Sequence, residues 1–411
     1  MAHSTIMAKQ GSSSHQLNVD PQWQLSKRCA NSFPLLALCL FTALAGHSQP
    51  SGPPPRSSDE PAAQAGLIQS QPSWLSGPAL KEFQSLEPID SHTHIYQTDP
   101  AFIGMLERLH MHVLDILVVD DTTPFLKSIE PQKQDAIKFV ASSMHHAQWC
   151  TTFDPYKFND PNFPQEAIDA LNRDFTHGAV AVKIWKNVGM EIKNTSGQYV
   201  MSDDPRLEPI YRDIAAHHKT LIAHLAEPDA AWANALVQQA RSTYYRENPQ
   251  WNMSTHPGAP TKESILWARD HLLEMNPGLR VVGAHLGSME ADVDQVAARF
   301  NRYPNFAVDT AGRVKDLMIQ PREKVRDFIL KYQDRILYGT DLNFFPGQSA
   351  QKEIPNWEDR YALEWRYFAT DDSFDYRGHK VEGLNLPRSV LRKIYHDNAV
   401  RWIPGIYTNL H

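Results

Sequence analysis

At 411 residues the chain can bury a large core, as one big domain or two ordinary ones. A formal net charge of -7 and the lack of any Lys/Arg-rich block exclude the phosphate-binding surface of a nucleic-acid binder, so the expected partner is a small-molecule substrate. Proline is abundant at 29 residues, but many of these precede residue 90, which marks a linker rather than a disordered protein.

The first eighty residues differ in character from the rest. Lys27-Arg28 precede an apolar run from Phe33 to Ala45 that closes in Ala43-Leu44-Ala45, the layout of a secretory leader. The run is too short to cross a bilayer, so no stable transmembrane span is expected after processing. Residues 1–45 are read as a signal peptide or an uncleaved N-terminal anchor, with Met7 as an alternative start, and the protein as exported, periplasmic or extracellular. Residues 46–79, rich in Pro, Ser and Gly, read as a tether, and 80–411 as the folded domain. Cys29 and Cys39 fall in the leader, which leaves Cys150 with no intramolecular disulfide partner in the processed chain.

From residue 80 onward short apolar runs alternate with longer helical stretches. The candidate strands are 88–94, 112–119, 147–153, 179–185, 220–225, 279–285, 305–309 and 335–341. Repeated strand-helix units of this number and length predict an α/β fold, a TIM-like (β/α)8 barrel with an N-terminal signal and linker extension. No glycine-rich loop follows the first strand, which disfavours an open dinucleotide-binding sheet. Apolar residues at helical spacing over 262–274, 323–332 and 387–402 predict outer helices, the last closing the barrel from outside. Long connections at 187–204 and 227–260 follow the fourth and fifth strands. The second carries Trp232, Tyr244, Tyr245, Trp251 and His256, and either caps a pocket or packs as a local unit.

The chemistry lies where polar residues interrupt the apolar strands. The first ends in His92-Thr93-His94, whose alternate spacing points both imidazoles the same way. The fifth ends in His224, the sixth in His285 and the eighth in Asp341. All sit at strand C-terminal ends, the face where barrels of this kind build their sites, and imidazoles with a carboxylate suit a divalent metal. On the fourth strand Val180, Val182 and Ile184 share one face, which turns Lys183 inward with Ala179 and Ala181. Lys183 is expected to bind an acidic substrate group, pair with a site carboxylate, or carry a carbamate bridging two metals.

Asp90-Ser91-His92-Thr93-His94, Ile222-Ala223-His224, Gly283-Ala284-His285-Leu286-Gly287-Ser288, Leu337-Tyr338-Gly339-Thr340-Asp341 and Asn398-Ala399-Val400-Arg401 together resemble the amidohydrolase superfamily. The likeness is to its amidohydrolase-related branch, which includes aminocarboxymuconate-semialdehyde decarboxylase and related hydrolases, and it covers roughly residues 85–405. The resemblance implies His92, His94, His224 and Asp341 as ligands of one divalent ion, zinc first and manganese second, with one ion favoured over two. It implies His285 as the proton carrier beside activated water, with Asp341 sharing that work; in other branches the position of His285 binds a second metal. Glu227 is a candidate to reach the metal or substrate. Asp309 and Arg313 are candidates to support the ligands or bind substrate, and Asn343 is a weaker one. His145-His146 and His217-His218 read as surface residues. The expected reaction is attack of metal-activated water on a small ester, lactone or amide carbonyl. The alternative is a metal-dependent decarboxylase or lyase acting on an aromatic or enoic carboxylate. Lys183 and Arg313 favour an anionic substrate in either case, and the assembly, monomer or homo-oligomer, is open at this level.

Overall fold

The computed structural model describes residues 75–233 and 244–407. The leader expected over residues 1–45, and the tether as far as residue 74, lie outside the described residues. The first described helix, α1, runs Gly77–Gln84, and β1 follows at Ile89–Ile95.

The strands form in the expected order, each a short apolar run of β-branched and small residues: β2 His112–Ile116, β3 Ala147–Thr152, β4 Ala181–Ile184, β5 Thr220–Ala223, β6 Arg280–Gly283, β7 Phe306–Asp309 and β8 Ile336–Leu337. All pair in parallel with their sequence neighbours, from β1·β2 round to β7·β8. The segment after β8 closes the ring. Its continuation, β9 at Leu342–Phe344, pairs in parallel with β1, Thr93 opposite Leu342 and His94 opposite Asn343. Ser91 N–H donates to Tyr338 O at 3.0 Å and Asp341 N–H to His92 O at 2.9 Å, so one stretch touches β7 with its first half and β1 with its second. The result is a closed (β/α)8 barrel.

Parity along the strands sorts two layers. Val113, Val182, Leu221, Val281, Val308 and Ile336 face the surrounding helices. Ile89, Leu114, Cys150, Ala181, Ile222, Val282, Ala307 and Leu337 fill the barrel interior. The outer helices bury their apolar stripes as the spacing predicts: Lys262–Met275 buries Ile265, Leu266, Leu272 and Leu273, and Arg322–Lys331 buries Val325, Phe328 and Ile329. The C-terminal segment departs from expectation. It does not simply cover the outside, because Ala399, Trp402 and Ile403 pack onto the inward residues of the strands and plug the barrel interior. Trp402 Nε1 donates to Asp334 O at 2.9 Å, and Asn398 Nδ2 to Ile336 O at 2.7 Å, which holds the plug beneath β8. Cys150 is a buried free thiol. Among the described residues no helix is long and apolar enough to cross a membrane.

Candidate active site

Because the interior below is filled with aliphatic side chains, polar groups can gather only at the strands' C-terminal ends. Strand β1 is buried along its whole length, and its alternation sends His92 and His94 to one side. Asp309, the last residue of β7, meets them. Its Oδ2 accepts from His92 Nδ1 at 2.8 Å, and its Oδ1 accepts the backbone N–H of His285 at 2.7 Å and of Ala311 at 3.1 Å. Burial alone would raise the Asp309 pKa, but His92 beside it, through charge and hydrogen bond, holds it below the usual carboxylate value.

Two other groups reach the site through backbone that side chains rarely adopt. His285, just past β6, has φ of 59° and Asp341, between β8 and β9, has φ of 62°. Each left-handed residue costs roughly 1–2 kcal/mol without glycine, and such costs gather at functional sites. The kink at Asp341 splits the eighth strand and aims its carboxylate inward. Close approach helps: a Cβ on Gly339 would stand 3.0 Å from His92 Cβ, so the strand carrying Asp341 passes hard against β1.

The imidazole protons are fixed by what each Nδ1 touches. His92 Nδ1 donates to Asp309, His94 Nδ1 to Ile116 O at 2.7 Å, and His285 Nδ1 to Ala311 O at 2.8 Å. The Nε2 lone pairs are thereby the free acceptors, the tautomer a metal-binding histidine needs; those of His94 and His285 belong to residues lining the cavity, and that of His92 meets Lys183 Nζ at 3.1 Å. Asp341 Oδ1 lies 3.4 Å from His94 Nε2 and 3.7 Å from His92 Nε2. His92, His285 and Asp341 offer ligand atoms all within 4.8 Å of one another. The His224 ring centroid is 4.2 Å from that of His285, and His224 Nε2 is buried with no hydrogen-bond partner among the described residues. Burial first, then neighbouring positive groups, pushes His224 well below the ordinary imidazole value, so it is neutral and basic toward a cation. Burial also pushes His285 well down, while burial and then Lys183 lower His92. Against burial, which opposes it, His285, His94 and His92 hold Asp341 well below the ordinary carboxylate value. An orphaned imidazole nitrogen, three anchored imidazoles and an ionised carboxylate make a donor set whose chemistry fits a divalent metal.

The remaining candidates separate clearly. Lys183 points inward as parity predicts, with Nζ 3.1 Å from His92 Nε2, and burial lowers its pKa to about 8. Arg313 is buried, and its charge adds to the burial that lowers His224 and His285. Asn343 donates from Nδ2 to Asp341 O at 2.9 Å. Glu227 is buried rather than solvated and is occupied elsewhere: Lys186 Nζ donates to its Oε1, and Tyr245 Oη to its Oε2 at 3.1 Å. His145, His217 and His218 are exposed and His146 is half-buried.

A cavity of roughly 670 Å3, including its open mouth, stands over this cluster and touches His94, His224, His285 and Asp341. One wall is an aromatic triad, with Tyr96 and Phe345 stacked 5.6 Å apart and Phe125 edge-on to both. The other is Trp185, Tyr244 and Trp251 around Lys186. The aromatic connection after β5 thus supplies Tyr244 and Trp251, whereas Trp232 is tied to Pro260 O at 2.9 Å. Lys186 and Tyr96 escaped the sequence reading, although Lys186 directly follows the strand expected over 179–185 and Tyr96 lies two residues beyond His94.

The amidohydrolase family model matches residues 89–404. Comparison with curated protein sequences gives no significant match. Among solved structures the chain is similar to an uncharacterised TIM-barrel protein from Bordetella bronchiseptica, at 16% identity and TM-score 0.46 over 78% of this chain and 99% of that one. It is also similar to 5-carboxyvanillate decarboxylase from Novosphingobium aromaticivorans, complexed with manganese and 4-hydroxy-3-methoxy-5-nitrobenzoic acid, at 13% identity and TM-score 0.46 over 78% and 96%. A third is a probable 2-pyrone-4,6-dicarboxylic acid hydrolase from Acinetobacter baumannii with citric acid bound, at 11% identity and TM-score 0.44 over 77% and 99%. With the match running from the first residue of β1 into the C-terminal plug, the chain belongs to the amidohydrolase family.

Proposed function

We propose that the protein is a metal-dependent hydrolase acting on a small ester, lactone or amide carbonyl. One observation carries the reading: His92, His94 and His285 each anchor Nδ1 on a fixed acceptor, ligand atoms of His92, His285 and Asp341 lie within 4.8 Å of one another with His94 Nε2 3.4 Å from Asp341, and His224 Nε2 has no hydrogen-bond partner among the described residues. His92, His94, His224 and Asp341 would hold a single ion, zinc in preference to manganese. When bound, such an ion supplies Lewis acidity that lowers the pKa of water to about 7 and polarises a carbonyl. His285 Nε2 is free to take a proton while its Nδ1–H stays on Ala311 O, and Asp341 offers a second acceptor at the same point. Asp309 orients His92 and fixes the His285 backbone. Lys183 sits within reach of an oxyanion or of a carboxylate in the cluster.

The aromatic walls and the Lys186 ammonium favour a second reading, decarboxylation of an aromatic or enoic carboxylate on the same residues. Export of the protein is part of the proposal and rests on residues 27–45 alone. Metal content per chain, measured on purified protein, tests the core of the reading. About one equivalent is expected, and none in His92→Ala/His94→Ala; full occupancy in that variant would refute the ligand assignment. Turnover with carbon dioxide release would replace hydrolysis by the second reading.

A further inference from the structure

Lys186 and Glu227 are 2% and 1% exposed, and they form an ion pair within hydrogen-bonding distance. A buried pair of this kind is a weak source of stability, because desolvating both charges cancels most of their attraction. Packing alone would be served as well by a thioether or an aliphatic side chain. Yet the ammonium is wrapped by three rings, its Nζ 5.2, 5.1 and 4.5 Å from the centroids of Trp185, Tyr244 and Trp251. Two of its three N–H bonds are accounted for, by Glu227 Oε1 and by Tyr244 Oη at 2.6 Å.

Lys186 is the sole lysine or arginine among the described residues lining the cavity over the histidine cluster. Glu227 does not line it; it stands behind the ammonium with both oxygens occupied, by Lys186 and by Tyr245. Of the two carboxylates that line the cavity, Asp341 belongs to the histidine cluster, and Asp120 is spent on its own loop, accepting from Thr122 N at 2.8 Å, Thr122 Oγ1 at 2.6 Å and Thr123 Oγ1 at 3.0 Å. Tyr96, Phe125 and Phe345 also line the cavity, with Tyr96 and Phe345 stacked on each other only 3° from parallel. The cavity therefore combines one clamped cation, aromatic walls and the proposed metal site.

We propose that Lys186, held by Glu227 and Tyr244, is the specificity residue of this cavity and receives the carboxylate of a flat, unsaturated or aromatic substrate whose ring lies against the aromatic walls. The inference deepens the functional reading above and rests on this cavity being the active site. It separates the charge that orients the substrate from the groups that act on it. Lys183, buried against His92, belongs to the second set, and Lys186 to the first.

Calorimetric titration with benzoate and trans-cinnamate, against their uncharged amides benzamide and cinnamide, tests it. The wild type is expected to bind each acid more tightly than its amide by about 10- to 100-fold, the worth of one charge-assisted hydrogen bond. Since Lys186→Met alone would strand Glu227 as a buried charge, the variant to use is Lys186→Met/Glu227→Gln, checked for folding by circular dichroism. It should bind acid and amide alike. His92→Ala/His94→Ala should keep the preference, and its metal content tests the metal reading separately. Acid preference surviving in Lys186→Met/Glu227→Gln, absent in the wild type, or lost in the histidine variant would overturn the proposal.

Discussion

Replacing Asp309 by asparagine tests whether the site depends on which imidazole nitrogen carries the proton. In the native site Asp309 accepts three hydrogen bonds, two from the backbone N–H groups of His285 and Ala311 and one from His92 Nδ1. An asparagine that keeps its oxygen toward the two N–H groups must aim its amide at His92 Nδ1, donor against donor. His92 relieves the clash by moving its proton to Nε2, where Asp341 at 3.7 Å can accept it once the Lys183 amine, which stands 3.1 Å from that nitrogen, has turned away. That nitrogen can then no longer serve as a ligand. Loss of such an orienting partner lowers metal affinity by about 10- to 100-fold, or roughly 1.4–2.7 kcal/mol. Asp309→Ala ranks differently. It leaves His92 free to take either tautomer, so the metal loss is smaller, but it orphans two buried N–H groups at about 1–3 kcal/mol each and destabilises the fold more. Chelator-competition titration and chemical denaturation of the two variants provide the comparison, with nitrogen-15 NMR of the histidine rings reporting the tautomer directly. Equal metal affinity in Asp309→Asn and wild type, with the His92 proton still on Nδ1, would refute the reasoning.

His285→Ala should keep its metal and lose turnover by about 10²- to 10⁴-fold, the usual worth of a positioned acid-base group; loss of a metal equivalent would make His285 a ligand instead. Gly339→Ala would set a methyl 3.0 Å from His92 Cβ, so a cost of about 1–3 kcal/mol from overpacking, with weakened metal binding, is expected in denaturation and metal titrations. Glu364, buried beside Tyr338, gives a pH signature: burial raises its carboxyl from an ordinary 4.5 to about 7, with Arg360 and the Tyr338 hydroxyl opposing. Between those values the folded chain holds a proton that the unfolded chain has released, so stability contributed by this group is present below about pH 4.5 and falls as pH rises toward 7. Glu364→Gln should flatten that fall in melting temperature from pH 5 to 8, and an unchanged slope would exclude Glu364 as its source.

The barrel was legible because its signal is periodic. Each of the eight expected barrel strands forms where an apolar run of alternating or branched residues is bounded by helix-stopping or polar residues, and parity along β4 by itself turns Lys183 inward. What the periodicity could not show is where the strand conformation breaks. The eighth run reads as one strand over 335–341, yet the left-handed turn at Asp341 divides it into β8 and β9, and that turn is what presents the carboxylate. The plug made by Ala399, Trp402 and Ile403 was equally hidden, since an apolar stripe reports that a face is buried but not against what.

The site divides along the same line. Histidines and an aspartate at the ends of the first, fifth, sixth and eighth strands are visible as residue types, so the cluster could be assembled by position alone. The groups that set its chemistry are of another kind. The carbonyls of Ile116 and Ala311, which fix the tautomers of His94 and His285, belong to the backbone and carry no residue identity. Lys186 lies beyond the last residue of β4, where alternation no longer says which way a side chain points, and its partner Glu227 comes from a different connection. Read singly, Glu227 near a histidine suggests a metal ligand, and Lys186 suggests a solvated amine. Only their pairing, inside a cage of Trp185, Tyr244 and Trp251, turns the first into a clamp and the second into a candidate receptor for a charged substrate. The candidate catalytic set is thus written in residue types at strand ends, whereas the proposed selectivity is written in contacts between loops, which position along the chain does not carry.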